Sequence, residues 1–353
     1  MNLAEILEKR EVNHYRVQKP YFIAEAGVNH EGSIDLAKRL INEAAEGGAH
    51  AIKFQTYKAE TLASKNSPSY WDTTKESTRS QFELFKKYDK FWKSEYELLK
   101  RACDESGIEF LSTPFDVESA RFLNDLMDVF KVSSSDLNNL PFIEELCNYN
   151  KPILLSTGAA YLWEIQRTVE LIENNGNALG LMHCVLNYPT LNKNANLGMI
   201  KDLQHKFPRQ IIGYSDHTLP NDMDVCLHAS ILGAEIIEKH FTFDKTLEGN
   251  DHYHAMDVYD LKNFNSKVDS LFTTLGSFEK KPLETENVSR LNARRSLVAK
   301  NSISKGKIIE YNDLTWKRPG NGIGPEYIKS LIGMQSLLDI DEDTVLQFNM
   351  FRK

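Results

Sequence analysis

The chain lacks the features that would assign it to a disulfide-rich or zinc-stabilised class. Its 353 residues include only four cysteines, Cys103, Cys147, Cys184 and Cys226, and no two of them form a CxxC pair. Such scattered cysteines predict neither a disulfide framework nor a structural zinc site. Reduced thiols in the core are the expectation.

Long hydrophobic runs and an excess of positive charge are lacking too. No run approaches the roughly eighteen apolar residues of a membrane span, and the start, MNLAEILEKREVNHYRV, is charged throughout. We therefore expect neither a signal peptide nor a membrane anchor, which makes the cytoplasm the default location. The net charge of -8 disfavours nucleic acid or an anionic membrane as a partner. An anionic substrate would need a local cluster of cations.

What is present is ordinary globular composition, with 41% hydrophobic and 26% charged residues. From about residue 20 to residue 275, short apolar runs alternate with longer amphipathic ones, as in repeated βα units. The predicted strands cover residues 21–26, 51–56, 109–113, 129–134, 152–157, 179–184, 210–215 and 234–240. Eight such units predict an α/β fold of the (β/α)8 TIM-barrel type rather than an open doubly wound sheet.

Two regions break this alternation. Residues 57–93 form a long polar and aromatic connection after the second strand, and a loop of that length is more often functional than accidental. Residues 276–291 are charged and aperiodic, and we predict a linker there between a barrel domain, residues 1–275, and a small β-rich domain, residues 292–353. The small domain can bury little core and is expected to dock on another surface.

Polar side chains close nearly every predicted strand. Active sites of such barrels lie at the C-terminal ends of the strands, so these side chains would meet at one mouth, and the pattern favours an enzyme. They are Glu25, Asn29, His30, Lys53, Gln55, Ser112, Thr113, Lys131, Ser134, Asp136, Ser156, Thr157, His183, Tyr188, Ser215, Asp216, His217, Glu238 and His240.

Lys53 and Lys131 each interrupt an apolar strand, where an unpaired ammonium group is costly. With nearby serine hydroxyls, the two lysines would form a site for a phosphate or carboxylate. Two other interpretations stay open. The lysines could form internal salt bridges with Glu25 or Asp136, or one of them could form a Schiff base.

His217 and His240 close two successive strands, and neighbouring strand ends are near enough for both imidazoles to reach one ion. Imidazole suits Mn²⁺, Fe²⁺ or Zn²⁺. His252 and His254 are interpreted as loop histidines, with Asp251 the more interesting neighbour.

Seven motifs, in one order along the chain, resemble those of the sialic acid synthase family. They are IAEAGVNHEGS (23–33), AIKFQTY (51–57), FLSTPFD (110–116), LSTG (155–158), GYSDHT (213–218), EKHFT (238–242) and KRPGNGI (317–323). The resemblance implies a (β/α)8 barrel followed by a small antifreeze-like, or SAF, domain. It also implies condensation of phosphoenolpyruvate with open-chain N-acetylmannosamine or a related 2-acetamido sugar, giving a nine-carbon 2-keto sugar acid and phosphate.

The resemblance carries roles to particular residues of this chain. Those matching the phosphoenolpyruvate site are Lys53, Lys131, Ser134, Ser156 and Ser215, and Gln55 lies beside them. Asp136, in the motif after the fourth strand, is expected to bind substrate as well. His217 and His240 match the ligands of a divalent metal, usually Mn²⁺, with Mg²⁺ or Co²⁺ as alternatives. Glu25 matches the carboxylate that handles protons, and Tyr188 and Asp251 match residues around the sugar.

The loop KRPGNGIG (317–324) gains a role from the same resemblance. The family implies a homodimer in which the C-terminal domain of one subunit covers the partner's barrel, and Arg318 matches an arginine that reaches the acceptor sugar. Glycines suit a loop that enters a confined mouth.

The sequence departs from the family pattern at Val185, Leu186 and the run Ser133–Ser135, so the acceptor stays open. N-acetylmannosamine, the 2,4-diacetamido-trideoxymannose that leads to legionaminate, and the altrose isomer that leads to pseudaminate all fit. Fewer polar groups at 185 and 186 point towards a deoxy sugar. Two other hypotheses are a Schiff-base aldolase and a carbohydrate-binding or ice-binding protein with an inert barrel.

Overall fold

The computed structural model describes residues 2–9, 12–71, 73–74, 76–249 and 251–353. The chain forms two compact units, Met1–Gly276 and Ser277–Lys353. Within the described residues, no helix combines the length and the apolar character needed to cross a membrane. The four cysteines are buried and free.

The first unit is built on eight parallel strands in a nearly closed barrel, which confirms the predicted fold. The order around the sheet is β3-β2-β1-β8-β7-β6-β5-β4, and β3 lies next to β4 across the seam. The strands are β1 Tyr21–Gly27, β2 Ala51–Thr56, β3 Glu109–Pro114, β4 Phe130–Val132, β5 Ile153–Ser156, β6 Leu179–Cys184, β7 Ile211–Asp216 and β8 Ile236–His240.

Helices surround these strands, and their ends follow from local sequence. Ser33 caps the helix after β1 by accepting a hydrogen bond from the Leu36 N–H, and Gly48 ends it with a φ of +86°. The helices of this unit are α1 Leu3–Leu7, α2 Ile34–Gly47, α3 Ala59–Leu62, α4 Gln81–Tyr88, α5 Lys93–Ser106, α6 Val117–Leu123, α7 Leu140–Cys147, α8 Leu162–Asn174, α9 Gly198–Lys206, α10 Asp224–Ile231 and α11 Val258–Leu275.

Two apolar clusters fill the barrel unit and leave one end for polar residues. The larger cluster lies between the strands and the surrounding helices. The smaller one joins the first residues of the strands, such as Tyr21, Ala51 and Ile236, to Leu3 and Leu7 of α1. Because α1 packs at the N-terminal end of the barrel, the polar residues at the C-terminal strand ends form the open mouth.

The connection 57–93 is partly ordered into secondary structure. It contains α3 and α4, and an isolated bridge pairs Pro68 with Ser80. A small apolar cluster of Trp71, Leu84 and Tyr88 holds it together. The connection therefore places its aromatic side chains on a structured element.

The second unit is β-rich, with its own apolar core of ten buried residues that includes Leu297, Ile309 and Leu346. Antiparallel pairs join β9 Ser296–Ala299 to β10 Leu314–Lys317, and β11 Gln335–Ser336 to β12 Phe351–Arg352. Its helices are α12 Asn287–Ala293 and α13 Ile328–Leu331. Helix α12 begins inside the segment 276–291, and the domain limits at 275 and 291 stay predictions.

Candidate active site at the barrel mouth

The side chains expected to be functional converge at the C-terminal mouth of the barrel. In the parallel register, Glu25 lies opposite Lys53 of β2 and opposite His240 of β8. Eleven of the thirteen expected site residues line one cavity there. They are Glu25, Lys53, Gln55, Lys131, Ser134, Asp136, Ser156, Tyr188, Ser215, His217 and His240.

One half of this cavity, the lysine side, comprises Lys53, Lys131, Ser134, Ser156 and Ser215. These residues come from β2, β4, β5, β7 and the turn after β4. Both lysines and two of the three serines are buried. The barrel thus concentrates two ammonium groups and three hydroxyls at one place.

Lys53 is held by two buried carboxylates. Its Nζ forms an ion pair with Glu25 and lies 3.6 Å from Glu238 Oε1, and it donates to Thr113 Oγ1 at 3.0 Å. Burial alone would lower the pKa of Lys53, but Glu238 and Glu25 raise it above its usual value. The internal salt bridge considered from the sequence is therefore present for Lys53, which is a fixed cation.

Lys131 is less fully compensated than Lys53. Its Nζ donates to Ser156 Oγ at 2.7 Å, but its distance to Glu238 Oε2 is 3.9 Å. Burial lowers the pKa of Lys131, and the attraction of Glu238 offsets that only in part. An anion bound beside Ser156 would stabilise the ammonium form. Asp136, the other partner considered from the sequence, instead accepts from Asn139 Nδ2 at 3.1 Å.

Glu25 lies between the lysine side and the rest of the cavity. The pKa of Glu25 is raised to about 7, mainly by burial. The positive charge of Lys53 lowers this pKa, and the negative charge of Glu238 raises it further. Gln55 Nε2 donates to Glu25 Oε1 at 3.0 Å and fixes the carboxyl group. A carboxyl group that titrates near neutral pH can give or take a proton in a reaction.

The turn after β4 meets the turn after β5 at Ser134, whose Oγ accepts a hydrogen bond from the Gly158 N–H at 2.9 Å. A Cβ atom at Gly158 would lie 2.8 Å from that oxygen, so the close approach requires glycine. The turns therefore hold the Ser134 hydroxyl at the edge of the lysine side.

The other half of the mouth, the imidazole side, comprises His217, His240, His254 and Asp251. The His217 and His240 ring centroids are 5.4 Å apart, and those of His240 and His254 are 5.0 Å apart. His217 Nδ1 lies 2.9 Å from the Val185 carbonyl oxygen, which can only accept, so Nδ1 carries a proton and, in the neutral ring, Nε2 is the nitrogen that presents a lone pair.

His240 is the centre of the imidazole side. Burial, together with His254 and His217, holds the pKa of His240 well below its usual value, so its ring is neutral at pH 7. One ligand atom from each of His240, Asp251 and His254 lies within 4.8 Å of the other two. The interpretation of His254 as a simple loop residue is incomplete, because its side chain is buried against His240.

The residues of the imidazole side fit a divalent metal ion. Neutral imidazoles and a carboxylate are donors that suit Mn²⁺, Fe²⁺, Co²⁺ or Zn²⁺. In addition, His240 Nδ1 is buried and has no hydrogen-bond partner among the described residues. A buried polar atom in that state is consistent with a ligand position.

A second cavity, here called the aromatic chamber, opens beside the mouth. Its lining includes Tyr57, Tyr70, Phe85 and Tyr88 from the connection 57–93, together with Tyr188. The two cavities adjoin, because five residues line both of them: Gln55, Tyr70, Phe85, Tyr188 and His240. Asp251, the twelfth expected site residue, also lines the chamber. Arg318, the thirteenth, belongs to the second unit.

Three features of this site were missed from the sequence. The first is Glu238, which is the shared counter-ion of Lys53 and Lys131. Its spacing of two residues from His240 places Glu238 and His240 on one face of β8, and this spacing could have revealed that Glu238 faces the mouth. For the aromatic chamber, the length and aromatic content of the connection 57–93 indicated a functional loop but not a cavity. His254 had no comparable signal, because loop residues have no periodicity.

Comparison with known proteins identifies relatives of both units. The NeuB family matches residues 40–280, and the SAF domain matches residues 294–352. The N,N'-diacetyllegionaminic acid synthase of Campylobacter jejuni is 37% identical and covers 94% of this chain and 100% of its own length. The human N-acetylneuraminate-9-phosphate synthase is 32% identical and covers 93% of this chain and 92% of its own.

A solved structure agrees with these matches. The N-acetylneuraminic acid synthetase of Leptospira borgpetersenii serovar Hardjo-bovis, crystallised with citrate, superposes with a TM-score of 0.69 at 33% identity. The superposition covers 77% of this chain and 90% of the Leptospira chain. The likeness thus extends over most of both chains.

Proposed function

The chain belongs to the NeuB family of phosphoenolpyruvate-dependent nonulosonate synthases, with a SAF domain after the barrel, and from this premise we propose its substrates and the role of each residue. The proposed reaction joins phosphoenolpyruvate to N-acetylmannosamine or a related 2-acetamido sugar. The observation that carries the proposal is one cavity lined by two lysines, five serines, two histidines and a carboxyl group, that of Glu25, with a pKa of about 7.

In the proposed reaction, C3 of phosphoenolpyruvate attacks the aldehyde carbon of the open-chain sugar. A C–C bond forms, and the aldehyde oxygen takes up a proton to become a hydroxyl group. Water adds to C2 of the former phosphoenolpyruvate and loses a proton, and the C2–O bond to phosphate then breaks. The products are the nonulosonate and inorganic phosphate, so all atoms are accounted for.

The lysine side is the proposed phosphoenolpyruvate site. The nearest paired carboxylate oxygen of the Lys131 ammonium group, Glu238 Oε2, is 3.9 Å away. An incoming phosphate or carboxylate group could approach the ammonium group more closely and form a charge-assisted hydrogen bond. Ser134, Ser156 and Ser215 add hydroxyl donors that hold the anion in one orientation. Lys53 is fixed by Glu25 and Glu238, and it keeps a second positive charge in place without reorganisation.

Glu25 is the proposed proton carrier of the reaction. Its pKa of about 7 allows both protonation states near neutral pH. Gln55 contacts one oxygen of the carboxyl group and Lys53 contacts the other, so the orientation of the group is fixed. Asp136, at the edge of the cavity, is proposed to contact phosphoenolpyruvate through the turn after β4.

The imidazole side is the proposed metal site, with His217 and His240 as ligands. When bound there, a divalent ion would polarise the aldehyde or activate water. The family resemblance favours Mn²⁺, with Mg²⁺ and Co²⁺ as alternatives. His217 contributes an oriented Nε2, because its Nδ1 is engaged by the Val185 carbonyl group. His240 contributes a neutral ring next to Glu25 in the sheet.

The aromatic chamber is the proposed acceptor site. It adjoins the metal site through His240 and Asp251, and its aromatic walls suit the methyl groups of acetamido or deoxy positions. Tyr188 stands where both cavities meet and is placed to contact the sugar. These surfaces favour, as acceptor candidates, the 2,4-diacetamido-trideoxy sugars alongside N-acetylmannosamine.

Arg318 and the second unit are proposed to act across a homodimer. By the family resemblance, Arg318 would reach the sugar in the partner's barrel. Arg318→Ala should then raise KM for the sugar much more than KM for phosphoenolpyruvate. Mixing that variant with His217→Ala should restore some activity once subunits exchange; proven exchange without recovery contradicts the arrangement.

The experiment that tests the proposed reaction measures phosphate release by the full chain with phosphoenolpyruvate, Mn²⁺ and each of the three sugars in turn. We expect release only when sugar and metal are both present, and fastest with the true acceptor. The double variant His217→Ala, His240→Ala should release none. Release without any sugar, or full activity of the double variant, would contradict the proposal.

One observation also supports a second candidate, a Schiff-base aldolase. Burial lowers the pKa of Lys131, which is how a lysine becomes a nucleophile. Borohydride treatment with pyruvate would trap a covalent adduct on Lys131 if this candidate were right. If no adduct forms while the protein still releases phosphate from phosphoenolpyruvate, the Schiff-base aldolase is excluded and the condensing enzyme is supported.

A further inference from the structure

The imidazole side contains more ligand atoms than the two histidines recognised from the sequence. We propose that Asp251 and His254 bind the divalent ion in addition to His217 and His240, so that a carboxylate and a third imidazole join the two histidines as ligands on this side of the mouth. This inference rests on the proposed function, since it concerns the ion placed there.

The distances between these groups favour a shared ion. His240 Nδ1 lies 3.8 Å from Asp251 Oδ2, and His254 Nε2 lies 4.0 Å from Asp251 Oδ1. Both separations are too long for a hydrogen bond between those atoms. If two ligand atoms each lie about 2.1 Å from one ion, they are about 3.0 Å apart when the ligand–ion–ligand angle is about 90°. They are about 4.2 Å apart when that angle is about 180°. Both carboxylate–imidazole separations fall within that range.

The burial of the three side chains points the same way. His254 is fully buried and the His240 side chain is 8% exposed, whereas Asp251 is 16% exposed towards the chamber. Two imidazoles and a carboxylate enclosed together, with one buried ring nitrogen lacking a hydrogen-bond partner in the described chain, form a site with ligand atoms directed inward. Water and substrate would complete the coordination from the open side.

The donor set predicts which ions bind. Imidazole nitrogen favours Mn²⁺, Co²⁺ and Zn²⁺, whereas Mg²⁺ prefers oxygen ligands and keeps its water. A site with only two protein ligands would discriminate weakly between Mn²⁺ and Mg²⁺. With His254 and Asp251 added, the full chain should bind Mn²⁺ much more tightly than Mg²⁺.

The neighbouring His252 offers a matched control. It lies two residues before His254, but its ring nitrogens contact Thr242 Oγ1 at 2.8 Å and Glu31 Oε1 at 2.9 Å. It belongs to the same loop and the same residue type, yet lies outside the group of ligand atoms. Loss of His252 should therefore leave metal affinity unchanged.

The test measures Mn²⁺ and Mg²⁺ binding to the metal-stripped full chain by calorimetry, without substrate. His254→Ala should weaken Mn²⁺ binding by at least about 10-fold and reduce the preference for Mn²⁺ over Mg²⁺, whereas His252→Gln should change neither. His254→Gln, which keeps a polar group of similar length, should show the same direction if the alanine variant folds poorly. Unchanged Mn²⁺ affinity in a folded His254 variant would overturn the inference.

The outcome is separable from that of the proposed reaction. If wild-type protein releases phosphate from phosphoenolpyruvate but His254 variants bind Mn²⁺ normally, only this inference fails. If His254→Ala loses Mn²⁺ while the wild-type protein turns over no phosphoenolpyruvate with any acceptor, the reaction fails and the metal site stands.

Discussion

The lysine side and the imidazole side of the mouth are organised in opposite ways. On the lysine side, Lys53 contacts Glu25 and Thr113 directly, and Lys131 contacts Ser156, so the charges are fixed within the protein. On the imidazole side, His240 and Asp251 stand 3.8 Å apart, too far for a hydrogen bond. We propose that the first side receives an anion and that the second encloses a cation.

The largest expected effect on activity comes from breaking the lysine side. Lys131→Met should lower phosphate release by about 100- to 1,000-fold, because a positioned cation at the proposed phosphoenolpyruvate site is lost. Stability should hardly fall, since removing a buried amine also removes its desolvation cost and leaves Glu238 paired with Lys53. Phosphate release and thermal unfolding of the same preparation check both parts. A variant with normal kcat and KM would remove Lys131 from the site.

A second buried lysine sharpens this comparison. Lys239 neighbours His240 on β8 but forms an ion pair with Asp216 at 2.7 Å, where Tyr214 and Thr218 also donate to the carboxylate. Lys239→Met leaves that buried carboxylate without its cation and should cost about 3–5 kcal/mol of unfolding free energy. KM for phosphoenolpyruvate should stay the same in the folded fraction. If Lys239→Met lost activity without losing stability, the division between structural and functional lysines would be wrong.

The aromatic chamber tests whether the sugar lies beside the imidazole side. Phe85→Ala removes one apolar wall and should raise KM for the sugar about 10-fold, equivalent to about 1.4 kcal/mol. KM for phosphoenolpyruvate should change little, since that site depends on the lysines. Steady-state kinetics with each substrate varied in turn separates the two. A rise confined to phosphoenolpyruvate would place the sugar elsewhere.

The last expected effect is on stability as a function of pH rather than on turnover, and it concerns Glu25. Its folded-state pKa is raised from 4.5 to about 7, so the folded protein binds the proton more tightly than the unfolded chain. This stabilisation is present below about pH 4.5 and is lost as pH rises through about 7. Denaturant unfolding at several pH values should show a steeper fall for the wild type than for Glu25→Gln. Equal slopes would contradict the raised pKa.

Much of this account could be predicted from the sequence, and the limits have physical causes. The eight strands were visible because buried parallel strands are continuous apolar runs, and Lys53 and Lys131 were visible as interruptions of such runs. Strand ends in a barrel share one mouth, so His217 and His240 could be grouped without coordinates.

Residues on loops could not be grouped in the same way. His254 follows β8 by fourteen residues, and nothing in the spacing indicates that the chain returns to His240. The aromatic chamber depends on how the connection 57–93 folds over the mouth, which is set by packing around Trp71 and Leu84. Glu238 was named as a strand-end residue, but its pairing with both lysines required the register of β8 against its neighbours.

The central claim, condensation of phosphoenolpyruvate with a sugar at this mouth, is tested most directly by the fate of water oxygen. The full chain would be incubated with phosphoenolpyruvate, Mn²⁺ and the best acceptor in ¹⁸O-labelled water, and the released phosphate analysed by mass. The account predicts unlabelled phosphate, because the C2–O bond breaks and water enters at carbon. Labelled phosphate would show hydrolysis at phosphorus and contradict the account.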